Sequence, residues 1–155
     1  MEGEEPRNWQ DALHRIEDGA WKGWWTFAGF DAFEDLIGPF YFRRGEDGQS
    51  RCAFRAEARH MNGAGFMHGG CLMSFADFAL FVIAGPALAG GTAVTATFNA
   101  EFVGSVYAGQ LVECTGEVIK AGRSLVFVRG LIRADDEPAL SFSGALKKVT
   151  LRPKV

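Results

Sequence analysis

At 155 residues the chain is long enough for one domain with a sizeable core and no need of disulfides. An apolar content of 48% excludes a disordered chain, and a net charge of −3 offers no basic field for nucleic acid or an anionic membrane. The three cysteines, Cys52, Cys71 and Cys114, have no paired spacing and read as reduced core residues of a cytoplasmic protein, not as a disulfide frame or metal site.

Residues 1–6 are acidic, are expected to fray, and contain no hydrophobic signal core, so no export is expected. Trp9, Leu13 and Ile16 at helical spacing predict a short amphipathic helix ending at Gly19. An aromatic run follows: Trp21, Trp24, Trp25, Phe27, Phe30 and Phe33. Its later part, F-D-A-F-E-D-L-I-G, predicts a second short helix stopped by Gly38 and Pro39. Residues 1–38 are therefore expected to form a helical, aromatic lid that can also wall a ligand cleft, with residues 39–155 as the main domain. Positions 40–44 and 51–59 predict a hairpin around E-D-G-Q-S.

The stretch from Asn62 to Ala84 organises the rest. It predicts a glycine-rich loop and then an apolar helix of about fourteen residues, too short to span a bilayer and apolar on every side. Such a helix is the axis of a core. It starts at His68-Gly69-Gly70 without a Ser, Thr, Asp or Asn cap, and one carboxylate, Asp77, interrupts it. Each feature has an ordinary explanation: amides meeting water, and an aspartate bonded to Ser74 one turn back. Together they describe chemistry, because free amides at a helix start bind an anion or a developing oxyanion, and a desolvated carboxylate can act as base or nucleophile. Gly69 and Asp77 are separated by about 12 Å along one helix. If both serve one carbonyl, two antiparallel copies of the helix must share the site.

After G-P-A-L-A-G-G ends the helix, strand patterns cover 92–103, 111–120, 124–133 and 139–149. Val112, Cys114 and Val118 share a face with Val126, Val128 and Ile132 only if even positions pair with even ones. That requires odd loops, A-G-R (121–123) and D-D-E (135–137), and turns Leu140, Phe142 and Leu146 inward. Gly116, Gly130 and Gly144 then fall on the inner face, with Gly116 and Gly144 flanking Val128, where they let the sheet curl and the helix lie close.

The phrase N-G-A-G-F-M-H-G-G-C-L-M-S-F-A-D, with Asn62, Gly69-Gly70 and Asp77 at their spacing, resembles hotdog-fold acyl-CoA thioesterases of the phenylacetic-acid-degradation type. The likeness continues through V-T-A-T-F-N-A-E-F and A-G-R-S-L-V-F-V and spans roughly residues 38–149. It implies an α+β fold in which a curved antiparallel sheet wraps a central helix, and a homodimer joined sheet edge to sheet edge, or a tetramer of two such dimers. It implies hydrolysis of an acyl-CoA thioester without a metal or other cofactor. The Gly69 amide would hold the thioester oxygen, Asn62 would orient substrate or water, and Asp77 would come from the other subunit. His68 and Gly70 would shape the loop, and Thr95, eighteen residues past Asp77, would stand near the attacking water. Arg123 at a hairpin tip is a candidate for a coenzyme A phosphate, or else a solvated turn residue. Two other readings share the fold. An enoyl-thioester hydratase would place its aspartate before its histidine, whereas Asp77 follows His68. A non-catalytic acyl-CoA-binding module would typically lack Asp77. The N-terminal aromatics hint at an aryl or medium-length acyl group.

Overall fold

The computed structural model describes residues 8–150, so the acidic stretch expected to fray lies outside the described residues. One antiparallel sheet of eight strands packs around a long helix, in the spatial order β1 (Leu13–Arg15), β2 (Trp25–Phe27), β3 (Tyr41–Arg44), β4 (Ser50–Arg55), β6 (Leu111–Ala121), β7 (Leu125–Ala134), β8 (Glu137–Val149) and β5 (Thr92–Phe102).

The N-terminal segment differs from its expectation. The helix predicted from Trp9, Leu13 and Ile16 is only a 3-10 turn, Trp9–Ala12, capped by Asn8. The chain then extends as β1 (Leu13–Arg15), which pairs with β2 (Trp25–Phe27), and β2 joins β3 (Tyr41–Arg44) through Trp25 and Phe42. Ile16 N–H donates to the Trp24 carbonyl at 2.8 Å and Ala28 N–H to the Ala12 carbonyl at 2.9 Å. Pairing with an existing sheet satisfies backbone groups that a two-turn helix would leave to water, and tertiary pairing overrides local spacing. The aromatic run lies along this ribbon: Trp21 stacks on Tyr41 at 4.3 Å, Phe27 stacks on Phe42 at 5.3 Å, and the Arg43 guanidinium sits 4.5 Å over Trp24. Among the described residues of the expected helical lid, only α1 (Ala32–Ile37) is α-helix, started by Asp31, whose carboxylate accepts from the Phe33 and Glu34 amides.

The central helix α2 runs Gly69–Leu88, twenty residues rather than fourteen. It passes through Gly85 and Pro86 instead of ending there. The carbonyl that loses its partner to Pro86 is that of Val82, and the Ser50 hydroxyl approaches it at 3.5 Å. By length and composition the helix is long and apolar enough to cross a membrane, so the length argument drawn from the sequence fails. In the fold it seats against β4 (Ser50–Arg55), β5 (Thr92–Phe102), β6 (Leu111–Ala121), β7 (Leu125–Ala134) and β8 (Glu137–Val149). Leu72, Phe75, Ala76, Ala79 and Leu80 are buried, and the rings of Phe40, Phe54 and Phe75 meet within 5.1 Å. It is not buried on every side. Met73 is 40% exposed and Asp77 half-buried, which leaves an open stripe along one flank.

The even-to-even register holds, with one displacement. Val112 pairs with Ala134, Cys114 with Ile132 and Val118 with Val128, but a bulge near Ile119 shifts the turn to residues 122–124. Gly116 therefore faces Gly130, while Gly144 faces Val128 as expected. The β7–β8 pairing also stands, but through a two-residue Asp135-Asp136 turn with both φ positive rather than the three-residue D-D-E loop, and a bulge at Ala139 of β8 restores the parity. A Cβ at Gly116 would meet Ile83 at 2.7 Å and one at Gly144 would meet Leu80 at 2.9 Å, so these two glycines admit the helix. At Gly130 the space is filled instead by the Phe142 ring.

Candidate active site

The start of α2 carries its own cap. The His68 ring accepts the Gly70 N–H at Nδ1 over 2.9 Å, and the His68 carbonyl accepts from Cys71. An Nδ1 that accepts leaves the proton on Nε2. Among the described residues the Gly69 N–H has no acceptor, and it is the amide left free to point at a ligand. A Cβ at position 69 would stand 3.2 Å from the Phe102 ring, so glycine here lets that ring wall the amide.

Asn62 builds the loop leading to Gly69. Its Oδ1 accepts from the Ala64 N–H at 2.9 Å and the Phe66 N–H at 3.4 Å, and its backbone closes onto Phe66 and Gly65. That commits the oxygen to the turn and leaves the Nδ2 amide as the group Asn62 can offer a ligand. The loop is anchored by Met67 N–H to the Val106 carbonyl and His68 N–H to the His60 carbonyl.

Asp77 is held by Thr95, not by Ser74, whose hydroxyl donates to the Gly70 carbonyl at 2.7 Å. The Thr95 hydroxyl donates to Asp77 Oδ1 at 2.6 Å. This contact depends on a bulge at Ala96. Beyond it even residues of β5 pair with inward residues of β8, as Ala100 does with Phe142, but before it Thr95 pairs with inward Leu146. The extra residue flips the alternation and aims Thr95 at the helix. Burial raises the Asp77 carboxyl above its ordinary value, the Thr95 bond opposes that, and the Asp31 charge adds to it.

A carboxylate that the sequence did not single out joins this end of the site. Glu34 of α1 is pushed up to about 7, chiefly by burial and then by the charges of Asp31, Asp77 and Asp35. No spacing rule marked it, because it sits inside an aromatic run and approaches Asp77 only through tertiary contacts. Arg59 donates to the Leu36 and Gly38 carbonyls and His60 Nε2 to the Ile37 carbonyl, while His60 Nδ1 accepts from Glu57 N–H. Three carbonyls at the end of α1 are thus tied to the segment preceding the Asn62 loop.

The remaining candidates are not brought together. Cys71, the thiol nearest the amide end, is buried and pushed up to about 11, which leaves it protonated and a poor nucleophile. Arg123 lies exposed in the 122–124 turn and makes no hydrogen bond or ion pair among the described residues. No group of three or more His, Cys, Asp or Glu among the described residues is placed to hold a metal ion.

A long antiparallel sheet around one central helix, with a free amide at the helix start and a carboxylate along its flank, is a hotdog fold of the thioester-hydrolase class. The model of the Thioesterase superfamily matches residues 64–140. The Pseudomonas aeruginosa protein PA0474, which carries an esterase name, is 30% identical over 111 residues, covering 71% of this chain and 83% of that one. The chain belongs to the thioesterase superfamily. Among solved structures, the Bacillus halodurans protein BH2602 with CoA has a TM-score of 0.70 at 20% identity, covering 81% of this chain and 82% of its own. The phenylacetic acid degradation protein PaaI of Thermus thermophilus has a TM-score of 0.66 at 22% identity, covering 77% of this chain and all (100%) of its own. At these identities the structural likenesses establish the fold.

Proposed function

We propose that the chain hydrolyses an acyl-CoA thioester to free coenzyme A and a carboxylic acid, at a site shared by two subunits. The observation that carries the proposal is the open stripe of α2. It bears the uncapped Gly69 amide at one end and Asp77 about 12 Å further along, beyond the reach of a single carbonyl. Beside the stripe lies β5, the unpaired edge of the sheet, with Val94 46% and Phe102 53% exposed. A second copy adding its own β5 antiparallel would continue the sheet and set each amide end beside the other chain's carboxylate. The CoA bound in BH2602 supports an acyl-CoA substrate.

In the shared site the thioester oxygen accepts from Gly69 N–H of one chain, and the Asn62 Nδ2 amide orients the substrate. Asp77 of the other chain takes a proton from water as its oxygen attacks the carbonyl carbon. The C–S bond then breaks and the thiolate leaves, to be protonated as coenzyme A. With Oδ1 held by Thr95, Oδ2 is the oxygen available to the water, and a carboxyl raised by burial is a better base than an exposed one.

Complementation tests this reading. Asp77→Asn and Asn62→Ala proteins are unfolded together and refolded as heterodimers, and thiol release from acyl-CoA is followed. Shared sites place both lesions in one site and none in the other, so activity partly returns. Sites built from single chains each keep a lesion, and demonstrated heterodimers without recovery defeat the proposal.

A further inference from the structure

Beside Asp77 the fold holds a second feature that the catalytic reading does not use. A pocket of about 110 Å³ opens between β2, α1 and α2, lined by Phe27, Pro39, Phe40 and Phe78 with Thr26 and Glu34. The charge of Asp77 acts on Glu34 in the pocket wall, which puts the pocket within electrostatic reach of the Asp77 carboxylate. The N-terminal segment supplies most of its walls, and residues 8–63 fall outside the matched family model.

The polar groups of the pocket are not equally available. The Thr26 hydroxyl donates to the Phe40 carbonyl at 2.7 Å, and Asp35, at the rim, accepts from the Gly29 N–H with both oxygens. The Glu34 carboxyl has no hydrogen-bond partner among the described residues. Among the described residues every charged group acting on it is negative: Asp31, the N-cap of α1, Asp35 within α1, and Asp77 from α2. The lining from β2 and β3's approach, Thr26, Phe27, Pro39 and Phe40, carries no charge. Arg59 is the cation tied to this helix, and it is turned to the carbonyls of Leu36 and Gly38 at the far end and to Glu57.

Resting on the thioesterase reading, we propose that this pocket is the acyl subsite, that it takes short uncharged acyl groups, and that Glu34 is the residue that rejects an anionic acyl terminus. Size sets the first half. A cavity of ~150 Å³ accepts benzene, so one of this volume holds roughly four heavy atoms, a short aliphatic chain rather than an aryl ring. Charge sets the second half. A terminal carboxylate would add a fifth negative group to Asp31, Glu34, Asp35 and Asp77 against aromatic walls that cannot solvate it. The penalty depends on pH, because Glu34 gains its charge near neutrality while an acyl carboxylate is already ionised there.

Butyryl-CoA and succinyl-CoA differ chiefly in that terminal charge and serve as the probes. Thiol release gives kcat/KM for both at pH 6 and pH 8. The expected preference for butyryl-CoA is about a hundredfold at pH 8 and about tenfold less at pH 6, from a unit charge lost at short range in a partly wet site. Glu34→Gln should hold the ratio at its lower value at both pH values. Ala28→Leu, which adds bulk at the rim, should lower kcat/KM for butyryl-CoA more than for acetyl-CoA. Equal rates for the two probes in the parent protein, or a preference that neither pH nor Glu34→Gln alters, overturns the inference and leaves the thioesterase reading standing. Absence of hydrolysis for every acyl-CoA overturns both.

Discussion

Gly144→Ala puts the seating of the helix to a direct test. An added Cβ would stand 2.7 Å from the Thr97 carbonyl oxygen on β5 and 2.9 Å from a Leu80 methyl on α2. Ordinary contact needs about 3.5 Å or more. The Leu80 side chain is completely buried, and Thr97 belongs to the ladder pairing Phe98 with Gly144, so neither yields freely. Overpacking of this kind costs about 1–3 kcal/mol, and replacing a strand glycine returns roughly 0.5–1 kcal/mol of chain entropy. The net expectation is a loss of about 1–2 kcal/mol, or a fall in Tm of roughly 2–8 °C for a chain of this size. Calorimetry measures it. Because the strain falls beside the Ala96 bulge that aims Thr95, activity should fall further than stability alone accounts for. An unchanged or higher Tm would mean that Gly144 does not face the helix and that the register is wrong.

Asp77→Asn is nearly isosteric and should leave circular dichroism unchanged while kcat drops by about two orders of magnitude or more; near-parent turnover by the folded variant removes Asp77 from the chemistry. Thr95→Val removes the hydrogen bond that holds the Asp77 carboxyl down, so that carboxyl should rise and the acid limb of the pH–rate profile should move to higher pH. Glu34 makes a stability prediction separate from its role in selectivity. Its folded pKa, about 7, lies above the ordinary 4.5, so the folded chain holds the proton more tightly and stability should fall as pH rises through that window. The ceiling is about 3 kcal/mol, reduced because water reaches part of the carboxyl. Glu34→Gln should flatten urea melts between pH 5 and pH 8, and an equal slope in both proteins would refute the assignment.

The alternation of Val112, Cys114, Val126, Val128 and Ile132 by itself determined which faces of β6 and β7 look inward, because strand periodicity admits only one parity when one face is buried. The same held for the core helix, whose buried face is made of large apolar side chains, and for the Asn62–Gly69–Asp77 spacing, which is local chain geometry. Tertiary structure decided the rest. Trp9, Leu13 and Ile16 have helical spacing, yet the free edge of β3 drew the segment into a ribbon whose hydrogen bonds a short helix cannot match. Pro86 reads as a stop, and α2 continues because the rest of the helix is packed and Ser50 approaches the stranded carbonyl. The bulges at Ile119 and Ala96 leave no mark in the alternation, so the turn centre and the inward aim of Thr95 were set by pairing with β7 and β8. Glu34 carries no sequence signal, and its place beside Asp77 follows from Arg59 and His60 gripping the end of α1. Periodicity reports which side of an element is buried; the element packed against it is decided by contacts between residues distant in the chain.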